Sequence, residues 1–195
     1  SSSAASDVYK RQGLKPGAKV LILGAGAIGL AVAFWARRLG AGAVAITDLG
    51  DWQRERALHL GATHFLVADE VVPGRVEQSL GGPADIVFEC VGRPGLIAQA
   101  IDQVRPRGTV VVLGLCTVAD SFMPFQALSK EVNLVMSAFF NMDEFCAAVD
   151  VLAGPHAGPL TMVSETVTLA DMPQAFEALR QRQQQCKVMV APHQT

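Results

Sequence analysis

The residues with the most chemical content lie in Gly24-Ala25-Gly26-Ala27-Ile28-Gly29, followed by an acid, Asp48, 24 residues past Gly24. Glycines at this spacing suit a phosphate. Gly24 permits a tight turn, Gly26 lets backbone N–H groups approach a pyrophosphate, and Gly29 lets a helix pack closely on a strand. The N-terminus of that helix presents unpaired N–H groups and about half a positive charge. Asp48 can accept the ribose hydroxyls of an adenosine. The chemistry implied is holding a dinucleotide.

Such a hexad carries little weight unless the flanking elements position it. Here an apolar, β-branched run, Lys19-Val20-Leu21-Ile22-Leu23, precedes the glycines, and helix formers follow to Arg38. Gly40 stops the helix, and Ala43-Val44-Ala45-Ile46-Thr47 returns as a second strand ending on the acid. A helix over 51–60 with Asp51 as its N-cap comes next, closed by Gly61, then a short third strand at His64-Phe65-Leu66-Val67. Pro73 to Leu80 is a weak helix and Ala84 to Glu89 a fourth strand, ending at Cys90-Val91-Gly92. Pro94 suits the first position of a helix over 95–104, and Pro106-Arg107-Gly108 is a turn into the fifth strand, Thr109 to Leu113. A sixth strand covers Asn133 to Ser137. This alternation predicts an α/β fold with a doubly wound, parallel Rossmann sheet, whose ligands gather at the carboxyl ends of the strands. Those ends carry Gly24 to Gly29, Asp48, Cys90 to Gly92, Leu113 to Leu115 and Ser137 to Phe139.

Bulk composition narrows the function classes. The 195 residues are 50% hydrophobic and 17% charged with a net charge of −2, enough apolar matter for a well-filled core. Without a basic stripe, nucleic acid is not an expected partner. The longest uncharged run, Val20 to Ala36, contains the glycine hexad and falls short of a membrane span. Cys90, Cys116, Cys146 and Cys186 form no CxxC pair, and neither His59 nor His64 has a second ligand at metal spacing, so no metal site is expected. A cytoplasmic home is expected from the same cysteine usage. Residues 1–12, SSSAASDVYKRQ, lack periodicity and read as a non-native or disordered leader.

The last third has another character. Met142 to Leu152 reads as a helix, 154–159 as a loop, Met162 to Leu169 as a strand, Ala170 to Arg182 as a helix and Lys187 to Val190 as a final strand. It is not a second nucleotide-binding unit.

Several motifs in one order resemble the C-terminal portion of the medium-chain, zinc-type alcohol dehydrogenases. They are Gly13-Leu-Lys-Pro-Gly17, Val20 to Gly29, Thr47-Asp48, Leu60-Gly-Ala-Thr63, Asp85 to Gly92, Gly108 to Gly114 and Cys186 to Pro192. The resemblance implies an NAD-binding domain over 13–138 and, over 139–195, a segment returning to a GroES-like catalytic domain. It implies that Val91, Leu113, Gly114, Ala138 and Phe139 flank the nicotinamide and that Lys187 reaches the pyrophosphate. It places catalytic zinc and its ligands upstream of the glycine turn, so no catalytic or metal residue is expected within this sequence and the chain alone should be inactive. An alcohol or polyol would be the substrate of the full-length protein. A zinc-independent, quinone-reductase-like member, an NAD-sensing module without chemistry and a methyltransferase are the competing readings. The resemblance also implies an edge strand over 121–126 that joins two copies, with Phe122, Met123 and Phe125 at the contact.

Overall fold

The computed structural model describes residues 14–70, 73–154, 158–181 and 184–192, so the leader expected over 1–12 lies outside the described residues. Six strands form one parallel sheet in the order β3-β2-β1-β4-β5-β6: β1 (Lys19–Leu23), β2 (Ala43–Asp48), β3 (His64–Val67), β4 (Ala84–Glu89), β5 (Val104–Val112) and β6 (Asn133–Met136). The order reverses between β1 and β4, which is where a doubly wound sheet opens its crevice. The predicted fold class is therefore the observed one.

The side-chain period of two explains why β1 is apolar from Val20 to Leu23. Val20 and Ile22 join one core with Leu30, Ala33 and Ala36 of helix α1 (Ala27–Arg38) and Ala57 of α2 (Arg54–His59). Leu21 and Leu23 point the other way, into a core with Val76 and Leu80 of α3 (Pro73–Leu80) and Ala100 and Ile101 of α4 (Leu96–Gln103). A strand covered on both faces leaves no place for a polar side chain.

Four local expectations are corrected. Asp51 does not cap by its side chain. Its carbonyl accepts the Arg54 N–H, and the fully buried Gln53 takes the cap position of α2. Pro94 lies in a turn ahead of α4, because Gly95 at φ +88° is left-handed and the helix can begin only after it. Pro106 to Gly108 is not a turn. β5 runs through it from Val104, with a register shift opposite Ala84 and Ile86 that absorbs the proline. Residues 121–126 are not an edge strand. Ser121 to Met123 is irregular, and Pro124 opens a short crossover helix, α5 (Pro124–Ser129), so the sheet ends on this side at β6.

Beyond the sheet, α6 (Met142–Ala153) starts with a capping box in which Asn141 and Glu144 exchange side-chain-to-backbone hydrogen bonds, both 2.9 Å. The expected loop at 154–159 falls partly on residues 155–157, outside the described residues, and Gly158–Met162 is a 3-10 turn. β7 (Val163–Val167) and β8 (Lys187–Val190) pair in a separate two-stranded parallel sheet. Helix α7 (Met172–Ala178) is shorter than the sequence suggested and ends in a 3-10 turn at Leu179–Gln181. No described helix is long and apolar enough to cross a membrane.

Candidate coenzyme cleft at the strand ends

β1 ends at Gly24, whose φ of +97° bends the chain over the sheet while its N–H donates to the Thr47 carbonyl at 3.0 Å. A Cβ on Gly24 would stand 2.5 Å from Cγ2 of Val91, so the turn fits against the loop after β4 only as glycine. Gly29 sits in the first turn of α1. A Cβ there would run into the Gly24 carbonyl oxygen and meet Ile22 Cγ2 at 3.2 Å. Helix and strand are thus locked at a spacing that only glycine permits. Gly26 caps α1 with extended backbone and no side-chain hydrogen bond, and the first turn holds no acid. Gly26, Ala27 and Ile28 line the crevice, and among the described residues no side chain accepts from the N–H groups of this first turn.

Across the crevice, Asp48 closes β2. One carboxylate oxygen accepts the Leu49 N–H at 2.8 Å. The other, Oδ2, is buried and has no hydrogen-bond partner among the described residues. A buried acceptor left empty is costly and asks for a ligand donor. Between these elements lies a cleft of about 640 Å³, within the range of small-molecule sites. Gly24, Gly26, Ala27, Ile28, Asp48 and Val91 line it, with Thr47, Leu49, Cys90, Arg93 and Gln99. The arrangement fits a dinucleotide: an orphaned carboxylate for a ribose, a glycine turn without side chains and a bare helix N-terminus for phosphates.

The remaining expected residues are placed as follows. Gly29 is behind the cleft wall. The Leu113 and Gly114 N–H groups both donate to the Glu89 carbonyl, at 2.8 and 2.9 Å, which sets the loop after β5 against the end of β4. Ala138 and Phe139 follow β6 and are exposed, Phe139 at φ +65°. Lys187 opens β8 as an exposed residue and is not on the wall of the cleft. Sequence reasoning passed over Glu89 as the mere end of a strand. The available signal was an acid closing the otherwise buried run Ile86-Val87-Phe88. Arg93 and Gln99 were also missed, because they enter the cleft from a turn and a helix that no phosphate motif marks.

Burial pushes the Cys90 thiol well above its ordinary pKa, and the Glu89 charge pushes the same way, so this sulfur is not an activated nucleophile. Among the described residues no group of three or more His, Cys, Asp or Glu side chains could hold a metal ion. The donors among the described residues do not fit a catalytic zinc.

With this geometry in hand, the comparisons with known proteins agree on one family. Residues 27–154 match the zinc-binding dehydrogenase family. The sorbitol dehydrogenase of Ovis aries is 30% identical over 86% of this chain and 48% of its own length. The structure of 2R,3R-butanediol dehydrogenase from Bacillus subtilis superposes with a TM-score of 0.86 at 25% identity, over 98% of this chain and 56% of that one. A putative zinc-binding dehydrogenase from Sinorhizobium meliloti, solved bound to NADP, gives 0.81 at 26% identity, over 98% and 58%. The chain spans about half the length of the curated relatives it matches. On its glycine turn, its sheet order and this match, the chain belongs to the zinc-binding dehydrogenase family.

Proposed function

We propose that this chain is the coenzyme-binding part of an NAD-dependent alcohol or polyol dehydrogenase. The observation that carries the reading is the buried, unpartnered Oδ2 of Asp48 facing a glycine turn across the cleft. A bound NAD would supply the acceptor for a hydride from the substrate carbon. The chain's own residues hold and orient it. Asp48 accepts the adenosine ribose hydroxyls, the N–H groups at the start of α1 bind the pyrophosphate, and Val91, Leu113, Gly114, Ala138 and Phe139 border the nicotinamide. Lys187 is assigned to the pyrophosphate on the family resemblance alone. Zinc and the alcohol pocket are assigned to the half that the longer relatives carry and this chain does not.

NAD is preferred over NADP because a 2′-phosphate would meet the Asp48 carboxylate. Two arginines downstream are the candidates to relieve that clash, and both are engaged elsewhere. Arg54 donates to the Phe65 carbonyl at 3.1 Å and lies 4.9 Å over the Phe65 ring. Arg56 donates to the Thr161 carbonyl at 3.0 Å and to Gln53. Calorimetry with both coenzymes tests the reading. NAD should bind at least about tenfold tighter than NADP, a difference of about 1.4 kcal/mol. Asp48→Ala should remove that preference. Equal affinities, or an unchanged preference in the variant, would count against it. The chain alone should bind coenzyme without oxidising alcohols.

Pairing of two copies near residues 121–126 is part of the same proposal, with the contact redrawn. Phe122 packs partly on its own core, while Met123, Phe125 and Leu128 stand 60, 68 and 72% exposed beside the β6 edge. An open edge with apolar neighbours favours a self-complementary contact. Sedimentation should show a dimer that Met123→Lys abolishes while coenzyme binding persists.

A further inference from the structure

We propose that Glu89 is the positioning residue for the nicotinamide half of the coenzyme, an inference that rests on the dinucleotide reading above. Glu89 is 1% exposed at the end of a strand whose other core positions are apolar. A buried carboxylate is costly unless hydrogen-bonded, so its place here calls for a specific use. Its Oε1 accepts the N–H groups of Val91 and Gly92, at 2.7 and 2.8 Å. Its main-chain carbonyl accepts those of Leu113 and Gly114. Its Oε2 packs against Gly114, where a Cβ would collide with it and with the Gly92 nitrogen.

One residue therefore fixes two loops at once, one by its side chain and one by its backbone. Val91 in turn abuts Gly24, so the height of the β4 loop is set relative to the glycine turn. Among the described residues, no hydrogen bond joins Asp48 or the N-terminus of α1 to this network. Loss of the carboxylate should then disturb the nicotinamide end and leave the adenosine end intact. The Val91 and Gly92 N–H groups would lose their acceptor, and the loop would rotate to find another.

The test uses two probes, NADH and ADP-ribose, which shares the adenosine diphosphate and lacks the nicotinamide. Calorimetry on the wild type and on Glu89→Ala should show NADH weakened about tenfold, as expected for losing a buried charge-assisted hydrogen bond, with ADP-ribose within about twofold. Glu89→Gln keeps an acceptor for both N–H groups and should restore most of the NADH affinity. The change in NADH fluorescence on binding should be reduced in Glu89→Ala and return in Glu89→Gln. Should Glu89→Ala fail to fold, Glu89→Asp keeps the charge but withdraws the carboxylate by one methylene, and should show the same selective loss. Parallel loss of both ligands would mean a purely structural role and overturn the proposal, as would unchanged NADH binding in both Glu89→Ala and Glu89→Asp. Failure of ADP-ribose to bind the wild type would instead overturn the dinucleotide reading beneath it.

Discussion

From Lys19 to Met136, apolar side chains lie on both faces of one six-stranded sheet, and β1, β2 and β4 are buried almost end to end. From Phe139 onward the same kinds of residue face outward. Phe139, Met142, Leu169 and Phe176 are 86, 73, 55 and 71% exposed, and neither β7 nor β8 contains a buried residue. The two regions are similar in apolar content but not in what covers it. The sheet carries its own helices on both sides, whereas the tail leaves much of its apolar surface open. Its anchors include Cys186 and Met162 against the core, bonds from Arg56 to the Thr161 and Gln184 carbonyls, a weaker one from Gln53 to the Gln185 carbonyl, and Ala148 and Pro159 beside Ala31 and Phe34 of α1. Exposed apolar surface of this extent marks a contact site. The family resemblance implies such a surface for a segment that returns to a catalytic domain.

The contrast can be broken or sharpened by substitution. Phe88→Ala, at the fully buried centre of β4, should cost about 3–5 kcal/mol and move the urea midpoint sharply down. An effect below about 1 kcal/mol there would deny that the sheet is the stabilising region. Gly29→Ala should cost about 1–3 kcal/mol, since the new methyl must displace the Gly24 carbonyl, and should weaken NADH binding in the same titration.

Asp85 gives a smaller effect with a pH signature. Burial raises its pKa, but the Lys19 N–H at 2.8 Å and the Arg105 guanidinium at 2.6 Å outweigh it and hold the carboxyl below its ordinary value. A carboxyl lowered in the folded state adds stability that is fully present above its unfolded pKa and lost as pH falls through the folded one. Asp85→Asn should therefore be less stable than wild type at pH 7, with the gap closing below about pH 4 in acid unfolding followed by circular dichroism. A gap that stayed constant with pH would show that the ion pair is not its source. Phe176→Ser, in the tail, should change stability by less than about 0.5 kcal/mol while reducing binding of a hydrophobic dye.

The same contrast explains what could be read from sequence. β1 to β4 and α1 were legible to within a residue, because a two-sided core forces unbroken apolar runs and glycine forces the turn. What failed was governed by contacts distant in sequence. Gln53, bonded to the carbonyl of Gln185, 132 residues away, displaced Asp51 as the cap. Pro106 reads as a breaker, yet a register shift against β4 accommodates it inside β5. The edge strand that the resemblance implied over 121–126 does not form, because Pro124 opens a helix and only Phe122 turns inward. Of the cleft, Gly24 to Gly29 and Asp48 announce themselves, while Arg93 and Gln99 arrive from elements that carry no motif.

The placement of β1 in the middle of the sheet has a consequence for how the molecule forms. Its first partner, β2, follows within one helix, but its second is β4, and Lys19 bonds to Asp85 across 66 residues. Closing loops of that length makes parallel sheets slow to assemble. During synthesis at about 5–20 residues per second, the apolar strand Val20 to Leu23 waits several seconds with one edge unpaired. A strand covered on both faces in the finished protein is thus left half-paired while the chain is being made, and the glycine turn acquires its wall at Val91 only when that wait is over.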